Sequence, residues 1–121
     1  MQKTIFVVDD SSTNLSIAEN ALENQYRVIT LSSAVKMFNV LKKVMPDFIL
    51  LDIEMPEMDG FEAIKQLKAN DLYAEIPVIF LSGASDTATE ASGIELGAVD
   101  FITKPFSESE LLNCVTKAFH E

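Results

Sequence analysis

Polar groups able to do chemistry recur in this 121-residue chain where apolar runs stop. Asp52 follows Phe48-Ile49-Leu50-Leu51, and Asp9-Asp10 follow Thr4-Ile5-Phe6-Val7-Val8. Ser82 follows Val78-Ile79-Phe80-Leu81, and Lys104 follows the run from Val99 to Thr103. Three carboxylates drawn together repel one another, so the arrangement is costly unless a cation sits among them. Oxygen-only donors that leave room for water suit Mg²⁺, which takes one or two carboxylates from a protein and shares the rest with phosphate oxygens. A lysine brings a point charge to phosphoryl oxygens and a serine hydroxyl donates to one. Lys104 and Ser82 therefore complete a set able to stabilise a transferring phosphoryl group. Asp52 is the candidate nucleophile, attacking phosphorus to give an acyl phosphate. The one histidine, His120, falls at the expected frayed end of the last helix and does not compete for that role.

The elements that must position these groups alternate regularly. Short apolar runs, rich in β-branched and aromatic residues, predict strands at Thr4–Val8, Tyr26–Thr30, Phe48–Asp52, Ile76–Leu81 and Val99–Thr103, the central ones buried on both faces. Helical spacing follows each. The first helix is capped within Ser11-Ser12-Thr13 and carries Leu15, Ala18, Ala21 and Leu22 to about Asn24. The second starts at Ser32 or Ser33, carries Val35, Phe38, Leu41 and Val44, and stops before Pro46. Pro56 forbids ladder geometry beyond Asp52, and Asp59-Gly60 turns the chain into a third helix bearing Phe61, Ile64 and Leu67. A fourth, from about Asp86 to Leu96, is weakly amphipathic and is expected to pack least firmly before Gly97 caps it. The fifth opens at Ser107-Glu108-Ser109-Glu110 and carries Leu111, Leu112, Val115 and Phe119. This βα alternation predicts an α/β domain, a doubly wound five-stranded parallel sheet with helices on both faces. In such sheets the crevice lies beyond the carboxyl ends of the strands, where Asp9, Asp10, Asp52, Ser82 and Lys104 all fall.

Composition narrows the partners. With 48% hydrophobic and 23% charged residues, positions 1–121 suit one domain with a real core. A formal net charge of -10 without a basic cluster argues against nucleic acid and against anionic membrane surfaces. The single cysteine, Cys114, allows no intrachain disulfide and is expected to pack in a helix of a protein from a reducing compartment. No signal-peptide pattern opens the sequence and no apolar run nears the roughly 20 residues of a membrane span, so the expected location is cytoplasmic.

In combination, Val8-Asp9-Asp10-Ser11, the run from Asp52 through Met55-Pro56 to Asp59-Gly60, Leu81-Ser82-Gly83 and Phe101-Ile102-Thr103-Lys104-Pro105-Phe106 resemble the receiver domain of two-component response regulators along essentially the whole chain. The resemblance implies the flavodoxin-like (βα)5 fold. It implies that Asp52 is phosphorylated by a sensor histidine kinase or a histidine phosphotransfer protein. It further implies that Mg²⁺ is held by Asp10, Asp52 and the carbonyl of Glu54, with Asp9 acting through water. Lys104 would pair with the phosphoryl group, with a cis bond before Pro105. Ser82 and Phe101 would be the switch pair that reshapes the face of helix four, strand five and helix five for a downstream effector protein or output domain, or for a phosphorylation-dependent dimer. Ser82 stands where threonine is more frequent in the family and Phe101 where tyrosine is an alternative, while Glu54 and Ala84 occupy positions that influence acyl-phosphate lifetime. Asn14, Ile17, Pro105 and Phe106 are expected to flank the crevice and dock the histidine-bearing partner.

Blander readings stand beside these. An Asp-Asp pair after a strand is more often a turn or helix cap, Ser-Gly is ordinary turn material, and a half-buried Phe101 is ordinary core. Three convergent strand ends outweigh the first, the family resemblance outweighs the second, and for Phe101 the core and switch readings stand level. A haloacid-dehalogenase-like phosphatase would also use an aspartyl nucleophile with an acid two residues on, as Glu54 is, but the chain has no room for a cap domain. A flavodoxin-like cofactor binder would find its phosphate repelled by the acid triad, and a degenerate receiver would lack one of the five site residues.

Overall fold

The computed structural model describes residues 2–83 and 87–119. Five strands, β1 (Thr4–Val8), β2 (Arg27–Leu31), β3 (Phe48–Asp52), β4 (Val78–Ser82) and β5 (Asp100–Thr103), alternate with helices α1 (Ser12–Leu22), α2 (Ala34–Leu41), α3 (Gly60–Ala69), α4 (Thr87–Glu95) and α5 (Glu108–Phe119). All pairings are parallel and the strand order is β2-β1-β3-β4-β5. The order reverses at β1, so the crevice opens between the ends of β1 and β3.

Side chains alternate across each strand and feed two separate apolar layers. Phe6, Val8, Ile49, Leu51 and Phe80 pack with Met37 and Leu41 of α2 and Ile64 and Leu67 of α3. Ile5, Val7, Leu50, Ile79 and Leu81 pack with Ala18 and Leu22 of α1 and Leu111 and Val115 of α5. Every residue of β1, β3 and β4 is buried, which is why those runs are continuously apolar rather than alternating. The edge strands β2 and β5 are only partly buried.

Boundaries differ from expectation by one to three residues, with local causes. Ser11 caps α1 and Ser33 caps α2, each hydroxyl accepting a backbone N–H three residues on. The fourth strand starts at Val78 rather than Ile76, because Pro77 has no N–H for the ladder. Tyr26 precedes β2 and stacks on Phe119, ring centroids 5.3 Å apart. The weak packing expected of the fourth helix is seen in α4, whose one buried residue among those described is Gly93. Cys114 is half-buried in α5 with Sγ 3.7 Å from Asp100 Oδ2, and burial with that neighbouring charge pushes its thiol up to about 11, which disfavours the thiolate.

Candidate functional site

Strand ends bring the acids together as the spacing requires. Asp52 is the last residue of β3, 1% exposed, and Asp9 follows β1 with no exposure at all, its N–H continuing the ladder to Leu31 O at 3.1 Å. Asp10, one residue on, is exposed. One carboxylate oxygen from each of Asp9, Asp10 and Asp52 lies within 4.8 Å of the others. Gly60, the first residue of α3, lets the α3 end close over this site. A Cβ there would sit 2.5 Å from Asp52 O and 2.8 Å from Ile53 Cα, and the glycine N–H donates to Ile53 O at 2.8 Å.

Lys104 arrives from β5. Its backbone N–H donates to Ser82 O at 2.7 Å, the peptide bond to Pro105 is cis, and Nζ reaches Asp52 Oδ1 at 2.8 Å and Asp9 Oδ2 at 3.0 Å. Ser82 ends β4, 1% exposed, one position beyond Leu81, the register partner of Asp52. One lysine thus bridges two fully buried carboxylates. Burial pushes Asp52 up to about 6; its bond to Lys104 opposes this and the Asp9 charge adds to it. Burial works to lower the Lys104 ammonium, but its bonds to Asp52 and Asp9 prevail and raise it above the usual lysine value.

The two oxygens of Asp52 are not equivalent. Oδ1 accepts from Lys104 Nζ and, at 3.2 Å, from the N–H of Glu54, whereas Oδ2 is buried without a hydrogen-bond donor among the described residues. A buried anionic oxygen without a donor is costly. The carboxylates of Asp9, Asp10 and Asp52 form an all-oxygen donor set of net negative charge, one of whose oxygens lacks a donor among the described residues, so the residues fit a hard divalent cation such as Mg²⁺.

The remaining predicted residues separate by environment. Glu54 is exposed and leans over the crevice, its Oε1 3.8 Å from where a Cβ on Gly83 would stand. Ala84 lies outside the described residues, as do Asp86 and His120. Phe101 is half-buried, its ring 5.6 Å from that of Phe80. Ile17 is partly buried against the α1/α5 layer, and Pro105 is exposed. Phe106 is 6% exposed within that same layer beside Ile102 and Leu111, so its apolar surface is already covered by core and leaves little to offer a partner.

Other site features escaped the sequence reading as well. Asn14 Nδ2 donates to Asp9 Oδ2 at 3.2 Å, a contact that no spacing rule reveals. Glu57 adopts a φ of 70° in a three-residue turn closed by Met58 N–H to Pro56 O at 2.9 Å, a conformation rare for a side-chain-bearing residue.

The family model of the response regulator receiver domain matches residues 5–116. A Vibrio cholerae protein named "Probable cyclic di-GMP phosphodiesterase" is 44% identical over 106 residues, which cover 88% of this chain and 24% of that protein. The alkaline phosphatase synthesis transcriptional regulatory protein PhoP of Bacillus subtilis is 37% identical over 112 residues, covering 92% and 46%. The BeF3-activated receiver domain of DrrB, from Thermotoga maritima, superimposes with a TM-score of 0.89 at 30% identity, covering 100% of both chains. The chain spans only 24% to 53% of the length of the curated relatives it matches. Acid pocket, lysine and sheet order agree with a family match over nearly the full chain, and the protein belongs to the receiver domains of two-component response regulators.

Proposed function

We propose that Asp52 is the phosphoacceptor. Its carboxylate attacks the phosphorus of a phosphohistidine on a sensor kinase or phosphotransfer protein, an O–P bond forms as the P–N bond breaks, and the imidazole leaves after taking a proton. Mg²⁺ bound by Asp10, Asp52 and the Glu54 carbonyl, with Asp9 through water, would neutralise charge on the phosphoryl oxygens and on Asp52 Oδ2. Lys104 holds Asp52 in line and then pairs with the phosphoryl group, and Ser82, one residue beyond the partner of Asp52 in β4, donates its hydroxyl to it. Phe101 responds by moving inward, and the α4-β5-α5 face changes shape for an effector protein or output domain. The partner rests on the crevice rim at Ile17 and Pro105. The chain acts as a switch, its chemistry limited to its own aspartate.

The observation that carries this reading is the asymmetry of Asp52: fully buried, one oxygen held by Lys104 at 2.8 Å and the other without a donor. Intact mass after incubation with acetyl phosphate tests it. The expected result is a labile gain of one phosphoryl group that needs Mg²⁺ and disappears in Asp52→Asn. An adduct that persists in Asp52→Asn, or none in the parent, overturns the assignment.

A further inference from the structure

The start of α1 is tied to the acid pocket through Asp9. Ser11 N–H donates to Asp9 Oδ1 at 2.9 Å, and Asn14 Nδ2 donates to Asp9 Oδ2 at 3.2 Å. That same Oδ2 receives Lys104 Nζ at 3.0 Å, so one buried oxygen is shared by an amide and by the ammonium that also holds Asp52. Helix formation does not explain the asparagine. The cap of α1 is the Ser11 hydroxyl, which accepts the Asn14 backbone N–H at 3.3 Å, and an asparagine side chain inside a first turn lowers helix propensity. Its amide is spent on Asp9.

Lys104 cannot serve Asp9, Asp52 and an incoming phosphoryl group equally. As Nζ turns to phosphoryl oxygen, the fully buried Asp9 Oδ2 retains Asn14 as its donor among the described residues. We infer that Asn14 is a positioning residue for phosphoryl transfer, holding the Asp9 carboxylate in place while Lys104 passes from Asp9 to the phosphoryl group. This role differs from partner docking and rests on the phosphoacceptor reading of Asp52. Asn14 acts through Asp9 and touches no reacting atom. Partners of ligating carboxylates commonly change metal affinity or activity by about 10-fold or more when removed.

The test uses Asn14→Leu, close in size but without a donor, and Asn14→Gln, which keeps the amide. The readouts are the rate of acetyl phosphate labelling at saturating Mg²⁺, the Mg²⁺ half-saturation of unphosphorylated protein followed by amide NMR shifts, and the urea midpoint. Asn14→Leu is expected to slow labelling and to weaken half-saturation about 10-fold while the protein stays folded with a lowered urea midpoint, and Asn14→Gln to recover part of both. Acetyl phosphate needs no protein docking, so labelling and half-saturation both within two-fold of the parent overturn the inference. So does a loss confined to urea stability in both variants. If the parent takes no phosphoryl group, the phosphoacceptor reading fails, and the Mg²⁺ titration still decides whether Asn14 positions Asp9.

Discussion

At the scale of single residues, the site holds more negative charge than its lysine offsets. Asp52 keeps its proton up to about pH 6 in the folded chain, against an ordinary carboxylate value of 3.8. The folded state therefore binds the extra proton more tightly than the unfolded chain. Its stabilising contribution is full below about pH 4 and is lost as pH rises through 6, a span worth at most about 3 kcal/mol. Without Mg²⁺, Asp52→Asn should be more stable than the parent at pH 7 and should lack much of the decline in unfolding free energy between pH 4 and 7; urea titrations at several pH values measure both. Parallel curves for parent and variant would mean that Asp52 ionises as an ordinary surface acid does. Lys104→Met acts in the opposite sense. It strands Asp9 and Asp52 without their shared cation, and a loss of about 3 kcal/mol or more at pH 7 is expected from thermal or urea unfolding, partly restored by Mg²⁺.

At the scale of elements, α4 is the one held least. Its buried residue among those described, Gly93, lies against aromatic rings so closely that a Cβ would stand 2.6 Å and 2.7 Å from Phe101 ring atoms and 2.9 Å from Phe80. Phe80 in turn meets Phe61 of α3 edge-on at 5.4 Å, so three rings run from α3 across the sheet to β5 under that glycine. Alanine would favour an isolated helix by about 1 kcal/mol. Here Gly93→Ala is expected to destabilise instead, by about 1–3 kcal/mol from overpacking, with a smaller cost in a Phe101→Ala background. A double-mutant cycle by urea denaturation gives the coupling, and a net gain in stability from Gly93→Ala alone would show that α4 lifts away freely. The weak apolar pattern of α4 was readable in the chain, whereas the reason glycine stands at 93 was not, because Phe80 and Phe101 reach it only through the β4-β5 pairing.

At the scale of the molecule, charge is divided between two poles. The parallel strands all point one way, so strand ends and helix starts share one end. Only Lys36 and Lys104 of the nine Lys and Arg residues lie at that end, which also gathers Asp9, Asp10, Asp52, Glu54, Glu57, Asp59, Glu62, Glu90, Glu108 and Glu110. Lys65 lies midway along α3, and Lys3, Arg27, Lys42, Lys43, Lys68 and Lys117 sit toward the opposite end, where they offset Glu19, Glu23, Asp47, Asp71, Glu75, Glu95 and Asp100. An anionic donor such as acetyl phosphate approaches against this field, and salt screens it. At saturating Mg²⁺, labelling of Asp52 by acetyl phosphate is expected to quicken about two-fold or more between 20 and 200 mM salt. A rate that falls with salt would show that bound cation has reversed the field at the crevice.

The chain alone was enough to specify the five strands, their helices, the crevice end and the convergence of Asp9, Asp10, Asp52 and Lys104. Those conclusions rest on periodicity and on strand-end placement, which are local and which a parallel sheet converts directly into position. The cis bond before Pro105 was expected from the family resemblance and is present. The sharing of Lys104 between Asp9 and Asp52, the amide of Asn14 on Asp9, the donorless Asp52 oxygen and the burial of Phe106 could not be read in this way. Each depends on which side chains from different elements meet, and so on distances set by packing between α1, β1, β3 and β5 rather than by spacing along the chain.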